Sequence, residues 1–116
     1  MVAYSNRAKI EILGVSEDII GKHGAVSPQV ARAVAEGIKK RSSADIGVGI
    51  TGIAGPTGAT EVKPVGLVYI AVAVNDDIDV KECRFKGSRI DIKNFSTNTA
   101  LNMVRLTNYE SYIECP

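Results

Sequence analysis

The sequence has few of the residues on which metal sites, disulfide frameworks and membrane spans depend. Its 116 residues include two cysteines, one histidine and no tryptophan. These cannot supply a four-ligand zinc site or a disulfide framework. No apolar run approaches the roughly 18 residues of a membrane span, and the first residues do not resemble a signal peptide. We therefore expect a cytoplasmic protein that binds no membrane, metal or cofactor and keeps Cys83 and Cys115 reduced.

An excess of charge of one sign is also absent. Fourteen lysines and arginines face 13 acidic residues, which gives a net charge of +1. Such a chain has no long-range attraction to nucleic acid, so we expect no nucleic-acid partner, and an anionic ligand must be held locally. The hydrophobic fraction of 45% is that of one packed domain. We place this domain at residues 1–106 and predict a weakly ordered tail at 107–116.

The apolar spacing predicts an α/β domain with the element order β-α-α-β-β-β-α. Ser27 followed by Pro28 is the clearest helix start, because serine is a preferred N-cap and proline suits the first helical position. The predicted elements are a strand end at 2–4, helices at 7–13, 16–20 and 28–41, strands at 44–50, 65–74 and 79–85, and a helix opened by Gly87 and Ser88.

These elements indicate a three-layer α/β/α-type sandwich with a mixed sheet. A turn over residues 75–77 joins the last two strands into a hairpin. In the final helix, the helical spacing predicts that four positions face inward. These positions are Ile92, Phe95, Thr99 or Ala100, and Met103.

A loop of small residues, Thr51–Thr60, separates two apolar segments. Glycines at 52, 55 and 58 let a backbone approach a ligand closely, and threonines at 51, 57 and 60 add hydroxyls that can bind an anion or orient a carbonyl. The loop therefore predicts a ligand site with room for a small molecule.

The sequence context does not support either of two nucleotide-binding motifs. Residues 47–52 match G-x-G-x-x-G, but Gly47 and Gly49 fall within the predicted strand and Pro56 blocks an immediate helix. Close packing of a helix on the sheet is the better explanation of these glycines. The loop also lacks the Gly-Lys-Ser/Thr ending of a P-loop, so nothing supports hydrolysis of nucleoside triphosphates.

Isolated polar residues leave alternatives open. Ser5 and Lys9 share a helical face and could form a nucleophile–base dyad, although an N-cap role for Ser5 is the interpretation that we favour. His23 lacks a second histidine or a cysteine nearby, which favours a loop or capping role. Four basic residues surround the start of the last helix, where free backbone N–H groups favour an anion. These residues form either a phosphate site or a solvated basic edge. They are Arg84, Lys86, Arg89 and Lys93.

Five motifs, in this order and spacing, closely resemble the C-terminal domain of the CinA family. The resemblance runs from residue 3 to about residue 105. The motifs are Tyr4-Ser5-Asn6-x-x-Lys9, Leu13-Gly14-Val15, His23-Gly24-Ala25-Val26-Ser27, Thr51-Gly52-Ile53-Ala54-Gly55-Pro56 and Lys63-Pro64-Val65-Gly66.

The resemblance implies a nicotinamide-nucleotide amidase, which hydrolyses nicotinamide mononucleotide to nicotinic acid mononucleotide and ammonia. Family members use a serine nucleophile and a lysine base, with a tyrosine beside them and no metal. Lys9 matches the lysine, Tyr4 the tyrosine and Thr51 the hydroxyl residue that opens the small-residue loop. The implied substrate-binding residues are Gly52, Ala54 and Gly55 of the loop, with Arg89 as the candidate for the phosphate.

The chain departs from the family pattern at the nucleophile. The family serine lies in a Glu-Ser-Cys-Thr-Gly-Gly segment upstream of the Tyr-Ser-Asn motif, and these 116 residues contain no such segment. Because acyl transfer needs its acceptor atom, we expect low or no activity. We also expect the domain to lack an N-terminal strand and helix, which would leave a sheet edge and apolar surface uncovered.

An uncovered edge predicts a homo-oligomer, or a partner that supplies the strand. The alternatives to an amidase are a non-catalytic module that binds a nucleotide or phosphate and an oligomeric interaction domain.

Overall fold

The computed structural model describes residues 14–55 and 63–114, with side chains described as far as residue 107. Its elements are α1 (Glu17–His23), α2 (Pro28–Ser42), β1 (Ile46–Gly52), β2 (Leu67–Val74), β3 (Asp77–Arg84) and α3 (Arg89–Glu114). The strand and helix predicted at 2–4 and 7–13 lie outside the described residues. Helix α3 continues past residue 106, where we predict the domain to end. In the described part of the chain, no helix is long and apolar enough to cross a membrane.

The three strands form one sheet in the order β1-β2-β3, and both pairs are antiparallel. Gly49 pairs with Ala71, which in turn pairs with Val80, so the register places these three side-chain positions on one face. The layered α/β fold is confirmed. The parallel pairing of a mixed sheet does not occur among the described strands.

Helix α2 covers one face of the sheet and begins as the sequence predicts. The Ser27 hydroxyl accepts a hydrogen bond from the Val30 N–H at 3.2 Å, and Pro28 occupies the first turn. The helix lies very close to β1. A Cβ atom built on Gly49 would lie 2.2 Å from the Ala31 carbonyl oxygen, and one built on Gly47 equally close to that of Ala35. Close helix packing therefore accounts for both glycines of the G-x-G-x-x-G match.

Helix α3 covers the opposite face, so the described domain has three layers. The core between α3 and the sheet contains Val68, Ile70 and Val72 of β2 together with Cys83 of β3. The α3 residues that are buried on this side are Ile92, Ser96, Ala100 and Met103.

The predicted inward position of Phe95 is wrong, because the buried stripe of α3 passes through Ser96 instead. Phe95 is 45% exposed and lies on a flank of the helix, where its ring contacts Phe85 at a centroid distance of 5.6 Å. The Ser96 hydroxyl tolerates burial because it donates a hydrogen bond to the Ile92 carbonyl at 2.7 Å. A polar residue at a buried helical position is therefore satisfied within its own helix.

The Cys83 thiol is buried and free. Burial raises its pKa above the ordinary value, which keeps it in the unreactive thiol form. Cys115 lies outside the described residues.

We predict that Gly49→Ala lowers the free energy of unfolding by about 1–3 kcal/mol or more, because the new methyl group overlaps the Ala31 carbonyl and moves α2 away from the sheet. Thermal or urea unfolding followed by circular dichroism measures this loss.

Gly21→Ala is the matched control, since nothing lies within 4 Å of a Cβ atom at Gly21 in α1. This variant should be as stable as the parent or gain about 0.5–1 kcal/mol. Equal stability of the Gly49 variant and the parent protein would contradict the close packing of α2 on β1.

Candidate functional site

Both covering helices begin at the end of the sheet where β1 ends. Helix α2 starts at this end because Ala31 lies over Gly49 and Ala35 lies over Gly47, farther back along β1. Helix α3 starts there too, since it follows β3 within five residues. Two helix N-termini therefore contribute positive electrostatic potential to the same end of the domain.

Thr51 ties the end of β1 to the start of α2. It is 6% exposed, and its hydroxyl donates a hydrogen bond to the Ala25 carbonyl at 2.6 Å. Within the segment before α2, the Ser27 hydroxyl donates a hydrogen bond to the Gly24 carbonyl at 2.9 Å. The Thr51 hydroxyl thus holds the 24–27 segment to the end of β1, and the catalytic role that the sequence predicts for it stays a prediction.

Backbone hydrogen bonds hold the start of the small-residue loop to the residues at the beginning of β2. The Ile53 N–H donates to the Leu67 carbonyl at 2.9 Å, and the Gly66 N–H donates to the Ile53 carbonyl at 2.7 Å. Gly66 has a φ of +95°, and a Cβ atom there would lie 2.0 Å from the Phe85 carbonyl oxygen. Only glycine fits this position, so the backbone at Gly66 lies close to the segment that leads into α3.

Arg89 joins the start of α3 to the loop. Its guanidinium donates a hydrogen bond from Nη1 to the Gly55 carbonyl at 3.0 Å, across 34 residues of sequence. A guanidinium has several N–H donors, and this contact uses one of them. Arg89 therefore brings a positive charge to the loop that the sequence predicts to bind substrate.

The first turn of α3 already has a carboxylate cap. The Asp91 carboxylate accepts a hydrogen bond from the Ser88 N–H at 3.0 Å, and the Ser88 hydroxyl accepts one from the Asp91 N–H at 3.2 Å. The hydrogen bonds from Ser88, the backbone N–H first, lower the pKa of Asp91 below its ordinary value. The Asp91 carboxylate therefore brings a negative charge to this helix end, and Arg89 is a cation there that also contacts the loop.

Lys63, which lies in one of the five sequence motifs, makes a structural contact. Its ammonium donates a hydrogen bond to the His23 carbonyl at 2.9 Å, at the last turn of α1. Cations are favoured at helix C-termini, which is the physical basis of this contact. A Cβ atom on Gly24, whose φ is +83°, would lie 2.8 Å from the same ammonium. No local signal in the sequence predicts this contact, because 40 residues separate its partners.

The predicted site residues that the structure describes all lie at this end of the domain. They are Thr51, Gly52, Ala54, Gly55 and Arg89. Tyr4 and Lys9 lie outside the described residues, so their place beside the loop stays a prediction. Of the other basic residues, Arg84 lies 3.7 Å from the Glu82 carboxylate. Within residues 14–55 and 63–114, no group of three or more His, Cys, Asp and Glu side chains could hold a metal ion.

A cavity of 460 Å³ opens at the opposite end of the domain, between the end of α2 and the β2–β3 turn. Its charged lining residues are of both signs, with Glu36 and Asp76 beside Lys39 and Lys40. None of the predicted site residues lines it. The candidate site therefore lies at the end of the domain that carries the small-residue loop, where the described residues of the motifs come together.

Comparisons with known proteins agree with the resemblance. The family model of the CinA C-terminal domain matches residues 1–107. A putative competence-damage inducible protein of Caldicellulosiruptor saccharolyticus is 53% identical over 106 residues, and a CinA-like protein of Koribacter versatilis is 55% identical over 105 residues. The matches cover 91% and 90% of this chain but only 26% and 25% of those proteins.

Solved structures show the same fold. The crystal structure of the competence/damage inducible protein CihA from Agrobacterium tumefaciens has a TM-score of 0.89 at 39% sequence identity, covering 92% of this chain and 66% of that one. A CinA superfamily protein from Escherichia coli has a TM-score of 0.83 at 30% identity, covering 87% and 59% of the two chains. The chain thus spans about a quarter of the length of its curated relatives, and over residues 1–107 it belongs to the CinA C-terminal domain family.

Proposed function

We propose that this chain forms the nucleotide-binding part of a nicotinamide-nucleotide amidase site. The observation that supports the proposal most strongly is the hydrogen bond from Arg89 to the Gly55 carbonyl, because it joins a cation to the small-residue loop. Family membership supports the same site through the resemblance of the motifs around it. The substrate under this proposal is nicotinamide mononucleotide.

The mononucleotide offers a phosphate and a carboxamide, and the two need different partners. The phosphate suits Arg89, whose guanidinium can form charge-assisted hydrogen bonds with its oxygens. The N-terminal dipole of α2 adds to the same potential. The carboxamide and its ring suit the backbone groups of Gly52, Ala54 and Gly55, since none of these three residues carries a side chain larger than a methyl group. Neutral polar contacts there would come from backbone groups.

The reaction proposed for the site is hydrolysis of the carboxamide C–N bond. Lys9 would remove a proton from the nucleophile and Tyr4 would lie beside it. The nucleophile of the family is a serine in a Glu-Ser-Cys-Thr-Gly-Gly segment, which these 116 residues do not contain. We therefore propose that the 116 residues alone bind the mononucleotide and release little or no ammonia from it.

We predict that Arg89→Ala weakens nicotinamide mononucleotide binding by about 10- to 100-fold, since a charged hydrogen bond contributes about 1.5–3 kcal/mol. Isothermal titration calorimetry measures the affinity. Nicotinamide riboside, which lacks the phosphate, should lose no affinity in the same variant.

Arg105→Ala is the control, because Arg105 lies on the same helix, is exposed and bonds only to Asn102 among the described residues. It should bind like the parent protein. Equal affinity of Arg89→Ala and the parent for the mononucleotide would rule out Arg89 as the phosphate ligand.

We predict that Thr51→Val destabilises the fold by about 1–3 kcal/mol, because the Ala25 carbonyl loses its donor in a partly buried position. Thr51→Ser keeps the hydroxyl and should retain most of the stability. Urea unfolding gives both values, and mononucleotide affinity should fall in the valine variant alone. Similar losses in the two variants would mean that the methyl group of Thr51, rather than its hydroxyl, holds the 24–27 segment.

We predict that the 116-residue chain binds nicotinamide mononucleotide without measurable turnover. Chemical-shift changes at Gly52 and Gly55 report binding, and a coupled ammonia assay reports hydrolysis. Ammonia release at rates approaching those of a complete family enzyme would overturn the proposed lack of activity. If the glycine signals do not change at any mononucleotide concentration, the binding role itself is wrong.

A further inference from the structure

The backbone between α1 and α2 receives a side-chain contact from each side of the small-residue loop in the sequence. Thr51, the first residue of the loop, donates a hydrogen bond from its hydroxyl to the Ala25 carbonyl at 2.6 Å. Lys63, which follows the loop, donates one from its ammonium to the His23 carbonyl at 2.9 Å. Residues on both sides of the loop are therefore held on two carbonyls that lie close together in the sequence.

Gly24 gives the Lys63 ammonium room at the end of α1. It is the C-cap residue of this helix, with a φ of +83°, and its N–H donates to the Ile20 carbonyl at 2.8 Å. A Cβ atom on Gly24 would lie 2.8 Å from the Lys63 Nζ atom, which is too close for an ordinary contact. The carbonyl groups at a helix C-terminus carry partial negative charge, which favours a cation there. Glycine at this position therefore serves the contact between Lys63 and His23 as well as the turn of the backbone.

Backbone hydrogen bonds connect Lys63 to the start of the small-residue loop. A turn over residues 64–67 follows Lys63 directly, and the hydrogen bond between its end residues is 3.2 Å long. Within this turn, the Gly66 N–H donates to the Ile53 carbonyl at 2.7 Å. Ile53 is 7% exposed and leads into residues 54 and 55, which the sequence predicts to bind substrate. The position of Lys63 thus bears on the candidate site through residues that the structure describes.

We propose that Lys63 is a positioning residue for nucleotide binding, an inference that rests on the function proposed above. The contact of Lys63 with the His23 carbonyl fixes the turn over residues 64–67, and this turn fixes Ile53 and the loop residues that follow it. The ligand then meets a loop backbone that is already in its binding geometry. Less conformational entropy is lost on binding to such a loop, which raises the affinity.

The direction of the Lys63 side chain favours this role over a direct contact with the phosphate. Its ammonium lies on the last turn of α1, whereas Arg89 reaches the loop from the start of α3. Loss of a positioning residue weakens the binding of every ligand that the loop holds, but loss of a phosphate ligand affects only phosphorylated ones. Nicotinamide mononucleotide and nicotinamide riboside, which lacks the phosphate, therefore distinguish the two roles.

Amide hydrogen exchange on the full 116-residue chain without ligand tests the contact itself. Lys63→Met keeps most of the side-chain length and removes the donor. The Ile53 and Gly66 amides should then exchange about three- to tenfold faster, as expected for the loss of one hydrogen bond. The Ile70 amide in the buried centre of β2 should change less, because it reports opening of the whole sheet.

Ligand affinity, measured by chemical-shift titration, tests the role in binding. Lys63→Met should weaken the binding of the mononucleotide and of the riboside by a similar factor, about three- to tenfold. Lys63→Arg keeps a cationic donor and should recover part of this loss for both ligands. Circular dichroism should show that both variants are folded.

Lys22→Met is the matched control, because Lys22 lies in the same last turn of α1, is exposed and carries the same charge. It should match the parent chain in amide exchange and in affinity. An equal effect of the two methionine variants would assign the loss to charge and overturn the positioning role. Equal acceleration at Ile53, Gly66 and Ile70 in Lys63→Met would overturn it too, as would unchanged exchange or a loss of affinity confined to the mononucleotide.

Failure of the proposed function would give a different result. A parent chain that binds neither ligand would refute the nucleotide site, and with it the role of Lys63 in binding. Faster exchange at Ile53 and Gly66 in Lys63→Met would still support the contact that holds this part of the chain.

Discussion

The close approach of α2 to β1 is the contact on which the rest of the domain depends. Gly47 and Gly49 let the helix backbone lie directly on the strand, with Ala31 and Ala35 as the facing residues. Alanines continue the contact onto β2 at Ala71 and Ala73. Because these side chains are small, the contact depends on close fit rather than on a large apolar area. Its position along β1 decides where α2 begins.

The start of α2 in turn places the candidate site. Since Ala31 lies over Gly49, the segment before Pro28 comes within hydrogen-bond distance of Thr51 at the end of β1. The loop after Thr51 is then held from the other face by Arg89. The two helix layers therefore hold one loop between them, and a cation reaches it from α3. This arrangement supports the binding of a small anionic nucleotide better than binding of an extended polymer, which the net charge already disfavours.

Local signals in the sequence were sufficient to predict the helices and strands and part of the candidate site. The Ser27-Pro28 pair locates the start of α2, and the alternation of polar and apolar residues locates β3. The glycines of β1 were correctly explained by helix packing, because a strand glycine has few other uses. Contacts between residues distant in sequence could not be predicted, such as that of Lys63 with His23 across 40 residues. The position of Phe95 was missed because a self-satisfied serine can replace an apolar residue in a helical stripe.

The connection between β1 and β2 has a consequence for the order of folding. Strands β2 and β3 are joined by a two-residue turn with Asn75 in the left-handed region, so their pairing closes a short loop. Strands β1 and β2 are separated by the whole small-residue loop, and its closure costs more chain entropy. We therefore expect the β2–β3 hairpin to form early and β1 to join it late. A ligand held by that loop would stabilise the native state, so binding at the candidate site would also favour the step in which β1 joins the sheet.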